Sequence, residues 1–161
     1  MKQDELTTYY HQHYSSLFLF ALSLTGKRSD AEDLVANAFL KAILSFTSGN
    51  FHAWMYKVIR NEFINNYKKG KKVFYEEDAS IDLPSGEDVL SDYIQKEEKR
   101  WLYRQIFLLP LKERHIMILS SFHDVNDHDI ANIMNLSVSN VRVLKHRTRQ
   151  KLLKLYKEVW E

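Results

Sequence analysis

The sequence predicts an all-α chain made of two small helical domains that are joined by a flexible acidic linker. Apolar residues recur at spacings of three and four in both halves, and only four glycines and two prolines interrupt the 161 residues. No stretch alternates between apolar and polar residues over the length of a strand. The segment 73–92 lacks this helical pattern and combines a Pro-Ser-Gly turn sequence with a cluster of carboxylates, so it is interpreted as the linker.

Three helices are predicted in the first half, over residues 3–25, 29–45 and 52–69. Ser29 and Asp30 are predicted to cap the second of them, because their side-chain oxygens can accept hydrogen bonds from free backbone N–H groups.

Four helices are predicted in the second half, over residues 89–108, 111–122, 126–134 and 137–159. Pro110 ends the first of these, Asn126 caps the third, and Asn135 suits a sharp turn because asparagine tolerates a positive φ. The last two helices and their short turn therefore predict a helix-turn-helix in the C-terminal domain.

The last helix has the composition of a DNA-recognition helix, since cations cover almost all of its predicted outer face. A buried stripe is expected at Val141, Leu144, Thr148, Leu152 and Leu155, which turns Lys145 outward. The candidate contacts to duplex DNA are Ser137, Ser139, Asn140, Arg142, Val143, Lys145, His146 and Arg149.

The helix over 52–69 interleaves aromatic residues with cations, a combination suited to single-stranded nucleic acid. We expect Trp54, Val58, Phe63 and Ile64 to be mostly core, and Tyr56, Lys57, Arg60 and Asn61 to form the surface. The preceding loop, 46–51, contains Gly and Asn, which permit an open conformation able to receive an extruded base.

The composition excludes several classes of protein. The chain has no cysteine, so disulfides, thiolate metal sites and zinc fingers are excluded. The N-terminus lacks the layout of a signal peptide, and no apolar run is long enough to span a bilayer, so a cytoplasmic protein is expected. No nucleophile motif or phosphate loop is present, so no catalytic residue, small-molecule substrate or cofactor is expected.

A group of histidines and carboxylates at 123–129 invites a metal-site interpretation. The acidic residues at this helix start are explained equally by the helix dipole, and we expect no metal there.

Three motifs occur in an order that resembles the extracytoplasmic-function sigma factors of bacterial RNA polymerase. They lie at 30–41 (Asp-Ala-Glu-Asp-Leu-Val), at 54–64 (Trp-Met-Tyr-Lys-Val-Ile-Arg-Asn) and at 109–114 (Leu-Pro-Leu-Lys-Glu-Arg), the last being followed by the helix-turn-helix. The resemblance covers nearly the whole chain. It implies region two at 1–72, a linker at 73–92 and region four at 93–161.

The resemblance also implies a role for each motif. The first would dock on the beta-prime clamp helices of core RNA polymerase, with contacts at Asp30, Asp33, Leu34, Asn37, Phe39 and Lys41. The second would melt and read the minus-ten promoter element, with contacts at Phe46, Ser48, Asn50, Phe51, Tyr56, Lys57, Arg60 and Asn61. Region four would bind the minus-thirty-five element, and the implied partners include the polymerase beta flap, promoter DNA and an anti-sigma factor.

The sequence departs from the family pattern at several positions. Ala36 and Asn37 stand where relatives usually carry Gln and Glu, which alters the expected clamp contact. Asn65 and Lys68 replace the common Asp and Arg, and Leu144-Lys145 replaces Arg-Leu.

Two alternative functions remain open at this point. One is a conventional helix-turn-helix regulator whose N-terminal half senses a ligand or dimerises. The other is a metal-dependent hydrolase built on the histidine and aspartate group at 123–129.

Overall fold

The computed structural model describes residues 2–70 and 96–160, and every regular element in these ranges is a helix. In the first domain α1 spans Gln3–Thr25, α2 spans Arg28–Ser45 and α3 spans Phe51–Gly70. In the second domain α4 spans Glu97–Phe107, α5 Leu111–Ser121, α6 Asp127–Met134 and α7 Val138–Trp160. The all-α, two-domain prediction is therefore confirmed. The predicted linker and residues 89–95 of the fourth predicted helix lie outside the described ranges.

Side-chain capping bonds are present at some helix starts and absent at others. Asn126 caps α6, because its Oδ1 accepts a hydrogen bond from the Asp129 amide at 2.8 Å. The predicted cap of α2 is wrong: the helix begins at Arg28, and its N-cap residue Lys27 makes no side-chain capping bond. Thr25 Oγ1 instead accepts a hydrogen bond from the Lys27 amide at 3.2 Å, and this bond fixes the turn that precedes the helix.

Each domain buries an apolar face of every helix that it contains. Leu17 and Phe20 of α1, Val35 of α2, and Met55 and Ile59 of α3 are fully buried in the first domain. The second domain buries the fully enclosed residues Ile106, Leu111, Ile116, Leu119, Ile130, Ile133 and Val141. Burial of a side chain of this size stabilises the fold by about 1.5–3 kcal/mol, so these layers hold each domain together.

The two domains pack directly on each other. Helix α3 lies against α6, the first helix of the helix-turn-helix, and α1 contacts α5. No helix within the described part of the chain is long and apolar enough to cross a bilayer.

Candidate nucleic-acid and polymerase interfaces

The helix-turn-helix is built as the sequence predicts. Asn135 adopts the left-handed conformation with φ 56° and ψ 47°, which ends α6 and turns the chain within three residues. Ser137 Oγ then accepts from the Asn140 amide at 3.0 Å and caps α7. These two residues fix the angle at which α7 leaves the turn.

Helix α7 turns a polar face to solvent. Its inner face buries Val141, Thr148 and Leu152, while Leu144 and Leu155 are partly buried, so the predicted stripe is present. The candidate contacts that are exposed on α7 or just before it are Ser137, Ser139, Asn140, Arg142, Val143, His146 and Arg149. A helix with this free cationic and hydrogen-bonding face can enter a major groove.

Lys145 is the exception on this face. Its Nζ donates a hydrogen bond to Asp127 Oδ1, and only 17% of its side chain is exposed, so the expectation that Lys145 points outward is wrong. Arg142 Nε lies 3.4 Å from the other oxygen of Asp127, yet the Arg142 side chain is 62% exposed. The hydrogen bond from Lys145, together with the nearby Arg142, lowers the pKa of Asp127, so this carboxylate stays charged.

Two residues set the backbone conformation of the loop before α3. Gly49 has a φ of 100°, a conformation that strongly favours glycine. Asn50 Oδ1 accepts from the Ala53 amide at 3.1 Å and so caps α3. The Phe46 ring packs edge-on against Phe51 and Trp54, with centroid distances of 4.8 and 5.2 Å. Ser48 and Asn61 are exposed.

Two residues that were predicted at the surface of α3 are buried. Tyr56 is 1% exposed and Arg60 is 6% exposed, because the second domain covers this part of the helix. Arg60 Nε donates to Nδ1 of His115 at 2.9 Å, and Lys57 Nζ donates to Asn132 Oδ1 at 3.3 Å. The prediction of core positions fares better, since Phe63 is buried and Trp54, Val58 and Ile64 pack partly buried against the core.

His123 joins the domains through a small polar cluster. Its Nδ1 lies 3.1 Å from the Tyr56 hydroxyl and 3.2 Å from Ser16 Oγ. The rings of Phe20 and Tyr56 pack edge-on against the imidazole, with centroids at 5.6 and 5.5 Å. Burial, reinforced by nearby His52, lowers the pKa of His123 to about 4 and keeps it neutral near pH 7.

His115 forms a second contact between the domains and is fully buried. Burial and then the cations Arg60 and Arg114 lower its pKa well below the ordinary value, so the ring is neutral. Its Nδ1 accepts from Arg60, which is consistent only with the proton on Nε2. Sequence reasoning placed neither histidine in a domain contact, since His115 lies in no recognisable motif and the group at 123–129 that contains His123 was considered only as a metal site.

The histidine and aspartate group at 123–129 is divided among separate contacts. His123 contacts Tyr56 in the domain interface, and Asp127 accepts a hydrogen bond from Lys145 of α7. Asp129 Oδ2 accepts a hydrogen bond from Asn50 Nδ2 at 3.4 Å. Within residues 2–70 and 96–160, no group of three histidine, cysteine or acidic side chains is arranged to hold a metal ion.

Helix α2 carries the candidate polymerase contacts on two faces. Leu34 is buried, and Phe39 is partly buried against the Tyr10 ring at 5.1 Å. The exposed members of the set are Asp30, Asp33, Asn37 and Lys41. Lys41 also forms an ion pair with Glu62 of α3 at 3.4 Å.

An apolar stripe on the C-terminal half of α2 was missed by the sequence reasoning. Leu40, Ile43 and Leu44 are 54, 67 and 74% exposed. Their i, i+3, i+4 spacing places them together on one face, and that spacing was the available clue. Clustered exposed leucines and isoleucines are typical of a protein-binding surface.

The second domain offers an apolar groove of about 480 Å³ between α4, α5 and α7. Its apolar lining includes Trp101, Leu102, Met117, Leu152, Leu153 and Tyr156, with Arg149 at its margin. Leu153 and nearby Trp160 are 45 and 38% exposed. A groove of this kind suits an amphipathic segment of a partner protein.

The fold and these surfaces together define a two-domain nucleic-acid-binding protein with a helix-turn-helix at its C-terminal end. Comparison with protein families identifies it further: residues 9–73 match Sigma-70 region 2 and residues 99–152 match Sigma-70 region 4. The chain belongs to the sigma-70 family, and several of its curated relatives are extracytoplasmic-function sigma factors.

Two curated relatives from Bacillus subtilis span almost the same length. The ECF RNA polymerase sigma factor SigM is 30% identical, over 97% of this chain and 96% of its own. The RNA polymerase sigma factor YlaC is 28% identical, over 94% of this chain and 92% of its own.

A solved structure shares the fold. The Bartonella quintana sigma factor RpoE, crystallised with the anti-sigma factor NepR, matches with a TM-score of 0.72 at 20% identity. The match covers 98% of this chain and 99% of that one, so the likeness extends over both domains.

Proposed function

We propose that this protein is a promoter-specificity subunit of bacterial RNA polymerase that directs promoter recognition, DNA melting and transcription initiation. The observation that carries the proposal is the order of two different nucleic-acid surfaces in one chain. A capped Gly-Asn loop with an aromatic and basic helix comes first, and an exposed recognition helix follows. We assign residues 1–72 to the first unit, 73–92 to a linker and 93–161 to the second.

The recognition helix α7 is proposed to bind the minus-thirty-five element. Its cations supply salt-dependent affinity through phosphates, and polar side chains such as Ser139 and Asn140 read base edges. A well-read base pair contributes about 1–3 kcal/mol of discrimination. Helix α3 and the loop 46–51 are proposed to hold unpaired minus-ten bases, whose capture offsets the cost of unstacking.

Core polymerase is proposed to dock at two places. The exposed acidic and polar residues of α2, extended by the apolar stripe of Leu40, Ile43 and Leu44, fit the beta-prime clamp helices. The apolar groove between α4 and α7 fits the beta flap. Such a factor performs no chemistry of its own and works in the cytoplasm, where core polymerase acts. An anti-sigma factor is a further proposed partner, by likeness to the complex of the Bartonella sigma factor.

Transcription with core polymerase tests the proposal. Purified chain and core enzyme are incubated with sheared genomic DNA of the source organism, and the transcripts are sequenced. We expect transcripts from a small set of start sites that share upstream sequence motifs at the minus-ten and minus-thirty-five positions. These transcripts should be absent with core enzyme alone. Absence of any factor-dependent start site would contradict the proposal.

Matched variants locate the surfaces. Asp33→Lys is expected to reduce holoenzyme formation without unfolding the domain, because Asp33 is exposed on α2. Asn61→Ala is expected to lower permanganate reactivity of the promoter, with recovery on a pre-melted template. A conventional regulator would instead bind its operator as a dimer without polymerase, and Asp33→Lys would leave its DNA binding unchanged.

A further inference from the structure

An apolar side chain lies in the polar outer face of α7. Val143 is 42% exposed, whereas its neighbours Val141 and Leu144 are fully and partly buried. The residues around it on this face, Ser139 and His146, are exposed and polar. A single exposed valine is ordinary on a protein surface, so its meaning depends on where on the helix it lies.

Helix geometry puts Val143 at the centre of the outer face. Each residue turns an α-helix by about 100°, and the buried stripe of α7 marks the direction of the core. Ser139, Val143 and His146 lie within about 40° of the direction opposite to that stripe. These three side chains therefore project furthest from the second domain.

Exposed cations flank this centre on both sides. Arg142 and Arg149 lie on one flank of α7, and Arg147 and Lys151 lie on the other. When a helix lies in a major groove, its centre approaches the base edges and its flanks approach the two sugar-phosphate backbones. The cations are therefore placed to meet phosphates, and Val143 is placed to meet a base.

Thymine is the base that offers valine an apolar partner. Its major-groove edge carries a 5-methyl group, whereas the other bases present only hydrogen-bond donors and acceptors there. Contact between this methyl group and a valine removes apolar surface of both from water, which is favourable. The same valine against an amino group, a carbonyl or a ring nitrogen would displace water without replacing its hydrogen bond, which is costly.

We propose that Val143 is a specificity-determining residue that reads the 5-methyl group of a thymine in the minus-thirty-five element. The inference rests on the proposed function, since it takes α7 to be the helix that enters the duplex. Ser139 and His146 lie about one turn before and after Val143 and offer hydrogen bonds to the base pairs on either side. The thymine therefore lies near the middle of the segment that α7 reads.

Replacement of thymine by uracil tests this directly, because uracil lacks only the 5-methyl group. Fluorescein-labelled minus-thirty-five duplexes are made from the promoter found by the transcription test, each with one thymine replaced. Binding of the full-length chain is measured by fluorescence anisotropy. We expect one thymine, or two adjacent ones, at which uracil weakens binding by about fourfold, the effect of one buried methyl group.

A matched pair of variants assigns the methyl contact to Val143. With Val143→Ala, the uracil effect at the same position is expected to fall below about 1.5-fold, since alanine is too short to cover the methyl group. Val159→Ala is the control, because Val159 is also an exposed valine of α7 but lies far along the helix toward its C-terminal end. This control is expected to keep the fourfold effect. The two changes, in protein and in DNA, form a double-mutant cycle that isolates their coupling.

A cytosine series separates the methyl group from the rest of thymine. The sensitive thymine is replaced by cytosine or by 5-methylcytosine, each paired with guanine, so that these two duplexes differ by the methyl group alone. We expect the methylated duplex to bind the unaltered chain at least twofold more tightly than the unmethylated one. With Val143→Ala the two duplexes should bind equally.

Two results would overturn the inference. One is a minus-thirty-five element in which no thymine methyl group affects binding, and the other is a uracil effect of equal size in the unaltered chain and in Val143→Ala. If the unaltered chain neither directs transcription nor binds the duplex, the proposed function fails. If it does both and either of the two results is found, only the thymine contact of Val143 fails.

Discussion

A single carboxylate gives two cations of the recognition helix different roles. Asp127 holds the Lys145 ammonium, which is largely covered, while Arg142 touches the same carboxylate but stays mostly exposed. Lys145 is therefore a brace between α6 and α7, and Arg142 is available to DNA. An exposed cation that neutralises a phosphate releases counterions, whereas a paired and covered one does not.

This difference predicts opposite results from two similar substitutions. Arg142→Ala is expected to reduce the slope of log K against log salt for duplex binding by about 1, while Lys145→Ala changes the slope far less. Fluorescence anisotropy between low and moderate salt measures both slopes. Equal reductions in the two variants would show that Lys145 leaves Asp127 and contacts phosphate in the complex.

The chemistry of single residues was predictable only where it is local. The caps formed by Asn126 and Ser137 follow from side chains that bond backbone groups three residues away. Lys145 was misplaced because its partner, Asp127, lies on a different helix. Helical periodicity predicts the direction in which a side chain points, but it does not predict which residue of another helix the side chain contacts.

At the scale of elements, the turn of the helix-turn-helix depends on the backbone of Asn135. Its φ of 56° lies in the left-handed region, which costs a residue with a branched Cβ about 1–2 kcal/mol. Asparagine and glycine adopt it most readily. The angle between α6 and α7 therefore relies on this residue.

Two substitutions at this position should separate conformation from contacts. Asn135→Gly is expected to keep the free energy of unfolding within about 0.5 kcal/mol, whereas Asn135→Val should lower it by about 1–2 kcal/mol. Urea unfolding followed by tryptophan fluorescence measures the change. Equal losses in both variants would mean that the asparagine side chain, and not its backbone conformation, stabilises the turn.

The helices themselves were largely predictable. The bounds of α1 agree residue for residue, those of α2, α5 and α6 differ by one residue at one end, and those of α3 and α7 differ by one residue at each end. Apolar residues recur at helical spacing in each of them, and Asn50, Asn126 and Ser137 cap the starts of α3, α6 and α7. Helix α2 begins one residue earlier than expected, because the hydrogen bond from the Lys27 amide to Thr25 fixes its start. A lysine N-cap that makes no side-chain capping bond could not be recognised in the sequence.

At the scale of the whole molecule, neutral histidines connect the domains. His123 faces Ser16 and Phe20 of α1 and Tyr56 and His52 of α3, and its pKa of about 4 lies below the ordinary 6.5. A lowered histidine pKa means that the unfolded chain takes up the proton first. Its stabilising contribution is complete above pH 6.5 and is lost as the pH falls toward 4.

We therefore expect acidification from pH 7.5 to 5 to lower the free energy of unfolding by about 2 kcal/mol through His123 alone. Buried His115 acts in the same direction. Denaturant titrations at the two pH values measure the loss. His123→Gln should remove part of it and the exposed control His128→Gln should not; an unchanged pH dependence in His123→Gln would contradict the assignment.

Contacts between the domains were beyond sequence reasoning for a physical reason. The prediction that Tyr56 and Arg60 lie at the surface of α3 is wrong, since both are buried. Tyr56 packs against Phe20 of its own domain and lies 3.1 Å from His123, and Arg60 bonds His115. Both histidines are more than fifty positions away in the chain. The sequence could propose these residues as candidates, whereas their covered state could not be predicted from it.

The exposed stripe on α2 predicts an order of events when the chain meets core enzyme. Leu40, Ile43 and Leu44 are exposed although the second domain lies on α3, so under the proposed function we expect core enzyme to dock on this stripe before any movement of the domains. Capture and rearrangement then become separate kinetic steps. Rapid mixing of a donor–acceptor labelled chain with excess core enzyme should show a phase whose rate rises with enzyme concentration, followed by one whose rate does not. Such a factor would be bound to core enzyme for most of the time before initiation. The slower, concentration-independent step would then limit how quickly transcription from its promoters begins.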